Sequence, residues 1–389
     1  MHHRPTLLVA CWLLVSCTAG RDNGIAGTSS PGTQPPTASA PLDGLRSLLD
    51  IRDAGAWRAA GIDEIEVWVC QVPADSTAPM YSGLPLRLAL TAVGIAEVLN
   101  RGVTAYFGAV SHGQYLPQFY AGGEATLASD SEPQACVEQA INGAEDTADV
   151  VLVVANAEHR SEFPGGFGNG GNSCPAEPPC PVLESRRSAY VGASDFHPDW
   201  GDRPPFDLVE HELGHTLGWI HSAFVDGAAQ PYQSALDLMS DSAAPRAANP
   251  ERRDAPDVLA VDRLLANWLP ESAVWVAPAT GGSVALQPST AAADGSGTRL
   301  AMVVLGAGSY LTIEWLPAEG FNAHLVQGGI AVHFVEVVDG AVRSITPVVG
   351  VAPFTDLLQV GESVDYGGWH VAVVAADGNA ITVSVAAPV

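Results

Sequence analysis

Eleven consecutive residues constrain this chain more than any other stretch, because they specify five residues at set spacings. Residues 211–221 read His-Glu-Leu-Gly-His-Thr-Leu-Gly-Trp-Ile-His. On a helix, His211 and His215 share one face and can bind one metal ion. Glu212 lies one step round the helix, where it suits a base that touches a water on the metal. Gly218 can take a positive φ and turn the chain, so that His221 returns to the same ion.

The ligand set indicates which metal this stretch binds. Three neutral imidazoles with one open coordination position are typical of a catalytic zinc site, whereas structural zinc sites are closed by four protein ligands. The alternative is an amphipathic helix that carries histidines by chance. Five specified residues at these offsets arise by chance in a chain of 389 residues with odds on the order of one in ten thousand or less. The sequence therefore predicts one catalytic Zn²⁺.

The motif resembles the extended zinc-binding signature of the metzincin metallopeptidases, which pair it with a downstream methionine turn. The segment 235–240, Ala-Leu-Asp-Leu-Met-Ser, offers Met239 for that turn. The resemblance implies that Met239 lies beneath the histidines as an apolar floor; the alternative is an ordinary core methionine. Some metzincins carry a tyrosine ligand two residues after this methionine, where this chain has Asp241. Ser222 follows the third histidine, as in the matrixin-like and gametolysin-like branches.

The resemblance implies a zinc endopeptidase that acts on a protein or peptide substrate. Zinc would lower the pKa of a bound water and polarise the scissile carbonyl. Glu212 would act as general base, taking a proton from that water and passing it to the leaving amine. Two other functions stay open. One is a non-catalytic surface adhesin that binds through the C-terminal domain, and the other is a zinc hydrolase restricted to glycoproteins or cell-wall peptides.

The N-terminus predicts export. Residues 1–17 combine a mildly basic start with a short apolar run and end Leu-Val-Ser-Cys, which resembles a bacterial lipoprotein box with Cys17 as the lipidated residue. The alternative is an ordinary secretory signal and a freely secreted protein. Residues 18–41 are rich in Gly, Ser, Thr, Pro and Ala and predict a disordered tether. We therefore expect a lipoprotein held on the cell envelope, touching a membrane only through that anchor.

Hydrophobic periodicity predicts the helices and strands of a domain at 42–271. The resemblance implies that this is the zinc peptidase domain, with an edge strand beside the cleft that binds substrate. The expected helices lie within 42–60 and at 84–100, 132–141 and 257–268, and the expected strands at 64–72, 103–110, 148–155 and 189–194, with a glycine-rich loop at 163–171. The helix within 42–60 could also act as a short propeptide. The site helix is expected to start near Pro204, with Asp202 as its cap.

From residue 272 the pattern changes to a period of two, which predicts an all-β sandwich at 272–389. Its seven candidate strands are 274–276, 284–286, 300–305, 310–315, 329–337, 369–374 and 380–385. On the segments 310–315 (Tyr-Leu-Thr-Ile-Glu-Trp), 329–333 (Gly-Ile-Ala-Val-His) and 360–363 (Val-Gly-Glu-Ser), this stretch resembles the β domain that follows the catalytic domain in gametolysin-like and immune-inhibitor-A-like peptidases. The chain as a whole is therefore expected to have an α+β fold.

After Cys17, the cysteines that remain in the exported chain are Cys70, Cys136, Cys174 and Cys180. An even count in an exported protein predicts two disulfides, and four cysteines allow three pairings. Cys174 and Cys180 bracket a proline-rich loop, so we expect them to pair, which leaves Cys70 with Cys136. A cysteine zinc site is the alternative, but the spacings match none that is familiar.

The net charge of −26 argues against nucleic acid and anionic lipid surfaces as partners. We expect the chain to act as a monomer. The acidic run of Asp195, Asp199 and Asp202 is a candidate Ca²⁺ site, with a solvated loop as the alternative.

Overall fold

The secondary structure alternates helices and strands in the first part of the chain and is almost all strand in the last part. The computed structural model describes residues 38–79, 87–161, 165–171, 181–201, 203–226, 228, 230–292, 296–351 and 353–388. Cys17, the predicted signal peptide, Cys174, Cys180 and Asp202 lie outside these residues. The tether predicted at 18–41 is described only from Ala38, and within it Ala40 donates to the carbonyl of Val276.

The helices and strands follow in chain order. The helices are α1 (Arg46–Gly55), α2 (Ala92–Arg101), α3 (Val103–Val110), α4 (Gln134–Gly143), α5 (Asp207–Thr216), α6 (Ala244–Ala248) and α7 (Ala260–Leu265). The strands are β1 (Gly61–Gln71), β2 (Tyr115–Thr126), β3 (Val150–Ala155), β4 (Gly166–Asn169), β5 (Arg187–Val191), β6 (Val274–Val276), β7 (Gly282–Leu286), β8 (Leu300–Gly306), β9 (Ser309–Leu316), β10 (Gly329–Val338), β11 (Ala341–Pro347), β12 (Ser363–Tyr366), β13 (Trp369–Ala376) and β14 (Ile381–Ala386).

The first sheet has five strands in the order β2-β1-β3-β5-β4. Its strands run parallel except β4, which pairs antiparallel with β5 at one edge. Every residue of β3 is buried, as expected for a central parallel strand covered on both faces. Helices α2, α3 and α5 share one hydrophobic cluster with this sheet, so the sheet supports the site helix directly.

The segment 103–110, predicted as a strand, is helix α3, and that prediction was wrong. Its buried residues are Val103, Tyr106, Phe107 and Val110, spaced three, one and three apart. That spacing is the stripe of a helix that rests on one face. The strand that pairs at the sheet edge is instead β2, which the sequence analysis missed. Its Pro117 and its glycines weaken the strand pattern but are tolerated at an edge.

Three helix boundaries and one loop also differ from the predictions. Residues 87–90 are not helical, and α2 starts after Thr91, whose side chain caps it by accepting from the backbone of Gly94. The site helix starts at Asp207 rather than near Pro204. The helix predicted at 257–268 is shortened to α7. The glycine-rich loop predicted at 163–171 contains strand β4.

All seven strands predicted after residue 272 are present, together with β11 and β12, which were not predicted. They form two sheets, β11-β10-β9-β8-β6 and β12-β13-β14-β7. Every pair is antiparallel except β6 with β8. Buried residues from both sheets form one hydrophobic cluster. The fold is therefore α+β, as predicted.

A further cluster joins the two parts of the chain. Leu48 of α1 and Val261 of α7 are buried with Met302 of β8 and Tyr310 of β9. The boundary near residue 271 thus lies within a shared core, and the division into two domains stays a prediction.

One of the two expected disulfides falls on described residues and is confirmed. Cys70 at the end of β1 is bonded to Cys136 on α4, across 66 positions of sequence. Separately, no helix within the described part of the chain is long and apolar enough to cross a lipid bilayer.

Candidate metal centre

Helix α5 carries the first two histidines and ends in a glycine turn. Gly218 has a φ of 91°, which is strained for any residue with a Cβ. The N–H of Gly218 bonds to the carbonyl of His215, and the N–H of Trp219 bonds back to that of Gly214. These two bonds form a Schellman motif, which ends a helix and reverses the chain. The reversal carries His221 back toward the face of the helix that bears His211.

The three histidines converge. Their potential ligand atoms all lie within 4.8 Å of one another. The Nε2 atom of His221 is 2.9 Å from Nε2 of His215 and 3.1 Å from Nε2 of His211. Among the described residues, no other group of three or more such side chains meets that condition.

The protonation of two of these rings follows from their other contacts. Nδ1 of His211 lies 2.8 Å from the carbonyl oxygen of Leu238, and Nδ1 of His215 lies 2.9 Å from that of Trp219. A carbonyl oxygen can only accept, so each Nδ1 carries the hydrogen. In the neutral rings, both Nε2 atoms therefore present lone pairs toward His221.

Burial also favours the neutral form of all three rings. It lowers the pKa of His211 to about 3, with the neighbouring His215 and His221 adding to the effect. Burial is likewise the main reason that the pKa of His221 falls to about 4, and it lowers the pKa of His215. Neutral imidazole is the form that binds a metal ion.

Glu212 lies beside the cluster. It is buried, and together with His211 it lines a cavity of about 380 Å³. The helix that carries it contacts β4 and β5. The group of side chains that could hold a metal ion among the described residues consists of the three histidines, and the role of Glu212 as a base stays a prediction.

Met239 is fully buried in the cluster that contains Leu213 and Trp219 of the helix and its turn. Its sulfur lies so close to Gly214 that a Cβ added there would be 2.4 Å away. The carbonyl of Met239 also accepts from the backbone N–H of Ser222, directly after the third histidine. Met239 therefore connects the helix with the segment that carries His221.

Strand β4 approaches the helix through two glycines. A Cβ on Gly168 would lie 2.2 Å from the carbonyl oxygen of Glu212 and 2.6 Å from Cβ of His215. A Cβ on Gly166 would lie 2.3 Å from the carbonyl oxygen of Tyr190. Only glycine fits at these distances. The sequence feature that could have predicted this strand is glycine at every second position of Gly-Phe-Gly-Asn.

Sequence analysis missed Tyr232, which lies on the exposed side of the histidines. Its hydroxyl is 3.4 Å from Nε2 of His221. Its ring meets those of His211 and His221 edge-on, at centroid distances of 5.6 and 5.0 Å. Phe224 pairs with it through an isolated β-bridge and a ring contact of 5.3 Å. Tyr232 precedes Met239 in the chain, so a search at the position after the methionine could not find it.

Two of the three candidate calcium residues, Asp195 and Asp199, lie among the described residues. Asp195 is buried and faces Arg246 at 3.9 Å, and Arg246 also pairs with Asp207 at 3.0 Å. The side chain of Asp199 is 90% exposed and lies against His197. The two described candidates thus have different neighbours, and the calcium site stays an untested prediction.

Comparison of the chain with the sequence profiles of known protein families gives no match. A search of curated proteins also finds none. The resemblance to metzincins therefore depends on the sequence features named above: the zinc-binding motif, the methionine segment and the C-terminal strands.

Proposed function

We propose that this chain is a zinc-dependent endopeptidase of the metzincin type. The observation that carries the proposal is the convergence of the Nε2 atoms of His211, His215 and His221, two of which are held as lone-pair donors by backbone carbonyls. A cation shared by the three nitrogens would accept their lone pairs.

The donor set fits zinc. Zn–N bonds of about 2.0–2.1 Å in a tetrahedral site separate the nitrogens by about 3.3 Å. The measured Nε2 separations of 2.9 and 3.1 Å are close to that value. The carbonyls of Leu238 and Trp219 supply the outer hydrogen bonds that orient zinc-binding histidines. Three histidines leave one coordination position for a water or substrate, as in catalytic sites.

When bound, zinc supplies a Lewis acid that polarises the scissile carbonyl and acidifies a water molecule. Glu212 lines the same cavity as His211 and acts as the base that removes a proton from the attacking water. It then delivers the proton to the nitrogen of the leaving amine. The phenol of Tyr232, on the exposed side of the histidines, donates a hydrogen bond to the substrate oxygen that becomes negative.

The substrate backbone binds along β4. This strand forms one edge of the first sheet and pairs with β5 on its other side. Gly165 and Gly166 line the cavity with Glu212, so the edge runs past the proposed base. An extended peptide can add to such an edge through main-chain hydrogen bonds, largely independent of its side chains.

The proposal also includes a C-terminal β-sandwich and a location on the cell envelope. The two C-terminal sheets share one buried cluster, which supports the β-sandwich assignment. The N-terminal signal and lipobox with Cys17 support export and anchoring on the cell envelope. We propose a monomer that takes protein or peptide substrates.

Chelation tests the proposal. Treatment with 1,10-phenanthroline should abolish casein cleavage, and Zn²⁺ should restore it. The variant His215→Ala should lose at least tenfold in zinc affinity, whereas the matched variant His370→Ala should retain it, since His370 is bonded to Asp365 far along the chain. Equal zinc affinity in both variants would contradict the assignment of the ligands.

A further inference from the structure

The cavity beside Glu212 has a second wall that the proposed chemistry does not use. Ser240, Asp241, Ser242 and Ala243 line it, immediately after the buried methionine. Its volume of about 380 Å³ accommodates one long side chain. Because the same cavity is lined by His211 and Glu212, a side chain that enters it belongs to a residue next to the bond under attack.

The charges around this wall are unbalanced. Asp241 lines the cavity, and none of the described residues that line it is an arginine. Arg246 acts on Asp241 from a distance, but it is also engaged by two other carboxylates, with Asp207 at 3.0 Å and Asp195 at 3.9 Å. His324 also acts on Asp241, but burial lowers the pKa of that imidazole and favours its neutral form. The wall therefore carries negative charge without an equal positive charge beside it.

The carboxylate of Asp241 has a local partner that fixes its position. Burial raises the pKa of Asp241, and the backbone N–H of Ala243 offsets part of that rise by stabilising the carboxylate. Asp241 is also partly buried, so a cation that reaches it is incompletely screened by water. Leu208 and Ala243 supply apolar surface in the same cavity, against which the methylene stem of a lysine or arginine can pack.

We propose that Asp241 determines specificity, so that the enzyme prefers substrates with lysine or arginine at a position flanking the scissile bond. This inference rests on the proposed peptidase function. A hydrogen bond to a charged group contributes about 1.5–3 kcal/mol, which corresponds to roughly ten- to hundredfold in kcat/KM. The acidic net charge of −26 acts in the same direction by attracting basic segments.

The test compares cut sites in a mixed-sequence peptide library for the wild type and for Asp241→Asn. Asparagine keeps an oxygen that accepts from Ala243 and removes only the charge. At one position flanking the bond that the wild type cuts, we expect lysine and arginine to occur roughly tenfold or more as often as norleucine. The cut sites of the variant should lack that excess. Cleavage at neutral side chains should stay within about twofold. The matched control is Asp339→Asn, an exposed residue with φ of 52°, which should behave as the wild type.

The outcomes separate the two claims. A wild type that cleaves without preferring lysine or arginine overturns this inference and leaves the peptidase function standing. Retention of the basic preference in Asp241→Asn also overturns it. A wild type that binds zinc and cleaves nothing overturns both. If Asp241→Asn does not fold, Asp241→Ser, which can accept the same backbone bond, replaces it.

Discussion

The Nδ1 atom of His211 donates a hydrogen bond of 2.8 Å to the carbonyl oxygen of Leu238, the residue before Met239. This bond fixes the tautomer of the ring and points its Nε2 lone pair at the other two histidines. The backbone N–H of Leu238 is itself bound to the carbonyl of Asp257. The methionine segment therefore holds a proposed metal ligand through its backbone, while Met239 is buried against Gly214 of the helix.

Truncating Met239 tests this support. Met239 is fully buried, so Met239→Ala should lower the free energy of unfolding by about 2–5 kcal/mol. It should also weaken zinc binding, because the cavity lets the Leu238 carbonyl move away from His211. Met239→Leu keeps most of the volume and should cost less than about 1.5 kcal/mol. Urea denaturation and zinc titration measure both effects; equal losses in the two variants would contradict a packing role.

Gly168→Ala should disturb the site from the side of the sheet. The new Cβ would lie 2.2 Å from the carbonyl oxygen of Glu212, so β4 and α5 must separate. We expect a loss of about 1–3 kcal/mol in the free energy of unfolding and lower zinc occupancy. The control is Gly306→Ala, whose Cβ would meet nothing within 4 Å. If Gly168→Ala matches that control, the close approach of β4 is wrong.

Tyr232→Phe removes one hydroxyl and keeps the ring that contacts His211 and His221. If the phenol stabilises the developing oxyanion, kcat should fall by roughly 10²-fold while KM changes little. Zinc content should be unchanged, which separates this effect from loss of the metal. Tyr366→Phe in the C-terminal sheets is the control. A change in KM alone would assign Tyr232 to substrate binding instead.

The buried carboxyl of Glu314 should make the free energy of unfolding depend on pH. Its carboxylate on β9 accepts from the N–H of Ala260 at the start of α7, with both oxygens at 3.1 Å. Burial raises its pKa from 4.5 to about 7, partly offset by its hydrogen bond from Ser289. The folded protein therefore holds this proton more tightly than the unfolded chain. The resulting stability is complete below about pH 4.5 and is lost as the pH rises toward 7.

Replacement of Glu314 by glutamine should remove that dependence. Relative to Glu314→Gln, the wild type should lose stability between about pH 4.5 and 7, by up to about 1.4 kcal/mol per pH unit. Burial also raises the pKa of Asp237 and Asp262 nearby. Both interact with Glu314, so the difference between the two proteins reports Glu314 together with these interactions. Melting temperatures across this pH range provide the test. Glu138→Gln on the exposed face of α4 should parallel the wild type, and a flat difference for Glu314→Gln would refute the assignment.

The histidine cluster was predicted from the sequence more accurately than the helices and strands around it, for physical reasons. The ligand spacing on α5 depends only on local helix geometry, and the turn at Gly218 depends on one residue. Strands β13 and β14 alternate clearly because one face of each is buried, whereas β9 is apolar and buried at most positions. By contrast, α3 lies in the core with apolar residues at most positions, so its period was misread as that of a strand.

Contacts between distant segments could not be predicted. Tyr232 reaches the histidines only because an isolated β-bridge joins Phe224 to Tyr232. Strand β4 exists because β5 offers it an edge, although its glycines resemble a loop. From the sequence, Asp241 is only the residue that stands where some metzincins have a tyrosine ligand. The cavity that it lines depends on the fold and could not be predicted. Each case depends on tertiary pairing, which periodicity does not report.

Comparison of the wild type with Glu212→Ala tests the central claim most directly, by zinc analysis and by cleavage of casein and a mixed peptide library. The account predicts about one zinc per chain in both proteins, because Glu212 is outside the ligand set, and cleavage by the wild type alone. If both hold zinc and neither cleaves, an adhesin or a hydrolase restricted to glycoproteins or cell-wall peptides replaces the general peptidase. A wild type that binds no zinc, or a variant that cleaves as well as the wild type, contradicts the mechanism.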